Sequence, residues 1–166
     1  QTLDWQGPIY IRLAKGGDAV VSLEEKDFTI GKAIVMKNPK DCLFVTTGVM
    51  TQVALQACSI LNQDNISCGV MHMHTIKPLD HDALSHWLPM VKAVITVEEH
   101  TRIGGLGSAV LEFCSDAMPE QTRKIQRIGF PDRFADQYGN QNSLLNHWGI
   151  SADKLAKSMS NFLKNL

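Results

Sequence analysis

The chain carries no surplus of either charge. Sixteen Lys and Arg against seventeen Asp and Glu give a formal net charge of −1. A basic nucleic-acid surface is therefore not expected, and no block of like charges forms a tail. No apolar run approaches the length of about 18 residues that a spanning helix needs, and no signal-peptide pattern opens the chain, so no membrane partner is expected and a cytoplasmic location is. The four cysteines, Cys42, Cys58, Cys68 and Cys114, include no C-x-x-C pair. Three fall in apolar surroundings, which reads as reduced, buried thiols rather than disulfides or zinc ligands. Internal repeats and low-complexity segments are also absent. What remains is 166 residues, 44% of them hydrophobic and 20% charged, enough for one domain with a core and an appendage.

The appendage comes first. Gly7-Pro8 signals a turn, and residues 9–13 alternate like a strand. Residues 15–18 end it, and residues 19–29 lack periodicity and read as a linker. A lone strand followed by a linker cannot bury itself. The chain begins with Gln1, and its first residues read as the middle of a longer unit, so a fragment or excised domain is expected.

From Gly31 the pattern is regular. Residues 32–36 form a short strand, and residues 42–45 an apolar run suited to a strand covered on both faces. Thr46-Thr47-Gly48 ends that run, and residues 49–61 follow as a helix with Val53, Ala54, Ala57 and Ile60 on its apolar stripe. Residues 66–73 are a strand, and Asp80 is placed to cap a helix over 81–88. Residues 92–97 are a strand, and Gly104, Gly105 and Gly107 then open a helix that ends before Met118-Pro119. Residues 123–128 alternate as a last strand. An irregular loop over 129–140, a short helix over 143–147 and a final helix capped by Ser151, with Leu155, Met159 and Phe162 inward, complete the chain. Strand–helix alternation predicts a three-layer α/β domain over residues 31–166, with a short antiparallel edge at its first strand.

Several residues invite chemical readings. Gly104, Gly105 and Gly107 resemble an anion cradle at a helix N-terminus. However, G-G-x-G is not the G-x-G-x-x-G of dinucleotide sites, and Glu98 and Glu99 beside it repel phosphate. Tight packing of helix on strand explains the glycines better. Glu98, Glu99 and His100 could serve as an acid/base group, but capping the sheet edge and bonding to a neighbouring domain is the reading favoured. His72 and His74 share one face of a strand. No third ligand stands at recognisable spacing even with His100, so no metal site is assigned. Arg12 by itself is an ordinary outward arginine. Core packing explains most of Trp87, Phe130, Phe134, Tyr138 and Trp148, and an exposed subset would mark a docking surface.

Four motifs stand in order: T-T-G-x-M-x-x-x-A-L at 46–55, T-I-K-P-L-D at 75–80, T-V-E-E-H-x-x-x-G-G-L-G-S-A-V at 96–110 and G-F-P-D-R-F at 129–134. In combination they resemble the C-terminal domain of transketolase-type thiamine diphosphate enzymes. That group includes transketolases, deoxyxylulose-phosphate synthases and the β subunits of 2-oxoacid dehydrogenases. The resemblance covers residues 31–166. G-P-I-Y-I-R-L at 7–13 looks like the last strand of the family's preceding, pyrimidine-binding domain, so residues 1–30 would be that strand plus a linker.

The resemblance implies a five-stranded, mostly parallel sheet in α/β/α layers, ordered 1-3-2-4-5 with the first strand antiparallel. The ends of the second and fourth strands, at Gly48 and Glu98, would then flank one crevice. It also implies transfer of a two-carbon ketol unit between sugar phosphates by a full assembly that holds thiamine diphosphate and Mg. The preceding domains or subunit would supply the cofactor sites and the activating Glu. This chain lacks the family's G-D-G…N metal motif, so it would bind no cofactor, contribute no catalytic residue and be inactive alone. Its role would be packing, assembly of the dimer, as a homo-oligomer of the full enzyme, and regulation. Arg12 would contact substrate phosphate. The crevice of Gly48, Glu98, Glu99, His100, Gly104 and Gly105 would make domain contacts or, in an alternative reading as a regulatory module, hold an anion. A domain of the other two enzyme types is the further alternative.

Overall fold

Every side chain of Cys42–Thr46 (β2) is buried, and the side chains divide between two faces. Because they alternate along a strand, Leu43 and Val45 enter one apolar cluster while Cys42 and Phe44 enter another. A strand buried on both faces needs cover on both. The computed structural model describes residues 1–14, 16, 19–21 and 28–166. It joins β2 to Ile34–Lys37 (β1), Cys68–His72 (β3), Ala93–Thr101 (β4) and Ile125–Phe130 (β5) in one sheet ordered β1-β3-β2-β4-β5. β1 runs antiparallel to β3, and the other neighbours are parallel. This is the expected mixed sheet.

Helices Met50–Gln63 (α1) and Ala152–Lys164 (α5), with Leu145 of Gln141–His147 (α4), cover the Phe44 face. His81–Trp87 (α2) and Leu106–Ala117 (α3) cover the Leu43 face. Side chains such as Phe44, Leu43, Met71 and Leu155 are fully buried. Each such burial stabilises by about 1.5–3 kcal/mol, so the two clusters fix the three layers. Cys42, Cys58, Cys68 and Cys114 are all buried and free, as expected. The thiols of Cys58 and Cys68 donate to the Gly69 carbonyl at 3.6 and 3.5 Å, and the neighbouring thiols of Cys42 and Cys58, with burial, push the Cys68 pKa up, which keeps it protonated and inert.

The element boundaries follow local physics. Asp80 caps α2 as expected, accepting from the Ala83 N–H at 3.1 Å, and also accepts from the Ala33 N–H at 2.7 Å. α4 starts at Gln141 rather than Ser143, because the Asn140 side chain accepts from the Ser143 N–H at 2.9 Å and so caps two residues earlier. Ser151 occupies the N-cap of α5, but its side chain makes no capping bond; its carbonyl accepts from the Leu155 N–H at 2.8 Å instead.

No strand forms at residues 9–13, and Tyr10 and Leu13 are 90% and 82% exposed. Without a ladder partner, alternation alone does not hold a segment as a strand. The residues expected to end it, Lys15, Gly17 and Asp18, and residues 22–27 of the expected linker lie outside the described residues. Phe134 and Tyr138 are fully exposed, whereas Trp148 and Phe130 pack against the core. Among the described residues, no helix is long and apolar enough to cross a membrane.

Candidate functional site

The strand order sets β2 beside β4, with Thr46 level with Val97. Past that point, at the carboxyl edge of the sheet, the chain leaves β2 through Thr47 and Gly48. The Thr47 N–H donates to the Val97 carbonyl at 3.3 Å. Gly48 has φ +56° with nothing near its missing side chain, so backbone conformation rather than space calls for glycine there. Thr46 Oγ1 and Thr51 Oγ1 lie 2.9 Å apart and tie the strand end to the first turn of α1.

On the neighbouring strand, β4 carries Glu98, Glu99 and His100. Glu98 is 1% exposed. Its Oε2 accepts from the Leu106 N–H at 2.8 Å and its Oε1 from the Gly107 N–H at 2.9 Å. The anion at the N-terminus of α3 is therefore the chain's own carboxylate, favoured by the free N–H groups and the helix dipole. Gly105 makes this approach possible, since a Cβ there would lie 1.9 Å from Glu98 Oε2. With both oxygens engaged, Glu98 acts as a fixed cap on α3. The described bonds of its carboxylate are those to the first turn of α3.

Glu99 is half-buried and joins two distant segments. Its carbonyl accepts from Arg12 Nη2 at 3.1 Å, and its Oε1 accepts from Gln141 Nε2 at 2.7 Å. His100 is exposed, with Nδ1 2.9 Å from the Thr101 carbonyl. Gly104, at φ +72°, turns the loop. Its N–H donates to Ser108 Oγ at 3.0 Å, and that hydroxyl donates to the Arg102 carbonyl at 3.0 Å. Arg127 Nη1 donates to the same carbonyl at 2.9 Å and to Ser108 Oγ at 3.1 Å. Arg12, Glu98, Glu99, Gly104 and Gly105 are thus brought to one edge, with Gly48 across from them.

Sequence reasoning missed Gln141, Ser108 and Arg127. Ser108 stands four residues after Gly104, a helical spacing that hints at the contact. Gln141 and Arg127 carry no such local signal, because their partners are set by the fold.

His72 and His74 lie at and just beyond the end of β3, with ring centroids 5.8 Å apart. Burial, with the neighbouring His74, pushes the His72 pKa down to about 4, and its Nδ1 has no hydrogen-bond partner. The His74 pKa is also lowered by burial, and the Phe28 ring lies against its ring, tilted by 32° with centroids 4.2 Å apart. Among the described residues, no group of three or more His, Cys, Asp or Glu is arranged to hold a metal ion.

Comparison with known proteins identifies this architecture. Residues 31–155 match the family described as the transketolase C-terminal domain. A putative transketolase family protein of Sinorhizobium fredii is 36% identical over 163 residues, 95% of this chain and 46% of that protein. A putative transketolase C-terminal section of Methanocaldococcus jannaschii is 32% identical over 163 residues, 97% of this chain and 50% of that protein. A solved split-gene transketolase, described as an inactive beta4 tetramer, matches with a TM-score of 0.87 and 33% identity over 97% of this chain and 52% of its own. The chain therefore spans about half the length of these three relatives. With the family match over three quarters of its residues and the expected sheet order, the chain belongs to the transketolase C-terminal domain family.

Proposed function

We propose that this chain supplies the C-terminal, non-cofactor-binding domain of a transketolase-like enzyme that moves a two-carbon ketol unit between sugar phosphates. Residues 31–166 pack against cofactor-binding domains or a cofactor-binding subunit and support oligomer assembly. In the full assembly residues 1–30 supply the last strand of the pyrimidine-binding domain plus a linker, and Arg12 contacts substrate phosphate. The observation that carries this reading is the match with the split-gene transketolase over 97% of the chain, which takes in the first segment as well as the domain. The position of Arg12 at the carboxyl edge supports the same reading, since its exposed guanidinium keeps most of its donors free for phosphate oxygens.

The residues described here do not fit thiamine diphosphate and its Mg. The N–H groups of Leu106 and Gly107 are bonded to Glu98, whose charge opposes a pyrophosphate at that helix end. Cofactor binding is assigned to the rest of the assembly. Titration calorimetry of the chain with thiamine diphosphate and Mg²⁺ is therefore expected to show no saturable heat. Addition of a polypeptide carrying the cofactor-binding domains is expected to give ketol transfer. Saturable micromolar binding by the chain alone would overturn this division of roles.

A further inference from the structure

We infer that Glu99 and Gln141 are positioning residues for the Arg12 guanidinium, so that α4 sets how firmly the substrate phosphate is held. The inference rests on the phosphate-contact role proposed for Arg12. Among the described residues, no strand pairs with the segment that carries Arg12, and the described bond of its side chain reaches β4. The fixed point is the Glu99 carbonyl, which takes one donor, Nη2, at 3.1 Å. A guanidinium has five N–H donors in a planar fork, so one bond orients the group and leaves the others for phosphate oxygens.

The carbonyl is only as rigid as its residue. Glu99 lies in β4 directly after Glu98, whose carboxylate is bonded to the start of α3. Among the described residues, one hydrogen bond holds the Glu99 side chain, from Gln141 Nε2 to Oε1 at 2.7 Å. Gln141 is the first residue of α4, directly after the Asn140 cap. A charge-assisted bond from a capped helix end thus braces the residue that holds Arg12.

The test uses the chain reconstituted with a polypeptide carrying the cofactor-binding domains, with an aldopentose phosphate and the free aldopentose as acceptors. Gln141→Ala is expected to raise KM for the phosphorylated acceptor by about threefold to tenfold, the worth of one hydrogen bond. Its kcat should stay within about twofold, and KM for the free sugar should not change. In an Arg12→Ala background the substitution should add nothing. An equal rise for both acceptors, or a rise that persists without Arg12, overturns the inference. A second arm uses this chain alone: the Arg12 side-chain N–H signals in NMR should shift on Gln141→Ala. Signals that ignore Gln141 overturn the brace. A shift together with an active enzyme indifferent to Arg12→Ala overturns instead the phosphate role proposed for Arg12.

Discussion

At the residue scale, Glu98 carries the most structural consequence. It satisfies two N–H groups of buried residues that have no other partner at the start of α3. Glu98→Ala would leave both unpaired, at a cost of about 2–5 kcal/mol. Glu98→Gln keeps one acceptor and sets an NH₂ against the other N–H, so about half that loss is expected. Urea denaturation of both variants measures this, and an alanine variant within experimental error of the parent would rule out the capping role. His72 provides the pH-dependent prediction. Its folded pKa, about 4, lies below its ordinary 6.5 because burial penalises the charged ring. The unfolded chain therefore binds the proton more readily, so the stability this group contributes is complete above pH 6.5 and is lost as pH falls towards 4. His72→Leu should flatten the urea midpoint across that window, leaving the smaller slope due to His74. Asp41, held below its ordinary 3.8 by the Ser67 N–H, acts only at lower pH and does not confuse the result. An unchanged slope in the variant would show that another group sets it.

At the scale of the element, β3 shows what neighbouring backbone demands. Gly69 sits level with Leu43 of β2, and a Cβ there would lie 2.5 Å from Pro39 N and 2.6 Å from Pro39 Cα. Both are backbone atoms of the turn between β1 and β2, so nothing flexible can yield. Gly69→Ala should cost about 1–3 kcal/mol through overpacking, read as a lower urea midpoint with an unchanged denaturant slope. A midpoint equal to the parent's would mean that the turn moves freely. The sequence carried no hint of this contact, though it carried the strand itself. β2, β3 and β4 were legible because burial on both faces writes continuous apolar runs, and α2 because Asp80 announces its start. β5 was placed two residues early, since a half-buried edge strand alternates only weakly and a short 3₁₀ turn over Pro119–Lys124 takes up the residues before it. The edge loop was recognisable as a motif, but not its wiring. Glu98 bonds eight and nine residues onward and Gln141 forty-two residues back, distances at which no periodicity carries information.

At the scale of the whole molecule, the question is where the domain begins. The two apolar clusters draw on no described residue before Ala33. Leu3, Tyr10 and Leu13 are 97%, 90% and 82% exposed. The described attachments of residues 1–14 to the rest are Gln1 on Phe28 and Ile30, and Arg12 on Glu99. Ordering each residue costs about 1–2 kcal/mol of backbone entropy, and a few exposed hydrogen bonds at about 0.5–1.5 kcal/mol each do not offset that over fourteen residues. Deletion of residues 1–14 should therefore change the stability of the remaining domain by less than about 1 kcal/mol. The same deletion should act strongly on association. Ile9, Ile11 and Leu13 present apolar surface on an unpaired backbone, the combination that recruits a second strand. Sedimentation over a range of concentrations should show self-association in the full chain that the shortened one lacks. If the deletion instead lowers the urea midpoint by the equivalent of about 2 kcal/mol or more, the segment belongs to this domain's own core. The boundary at Gly31 would then be wrong, and with it the assignment of residues 1–30 to a preceding domain.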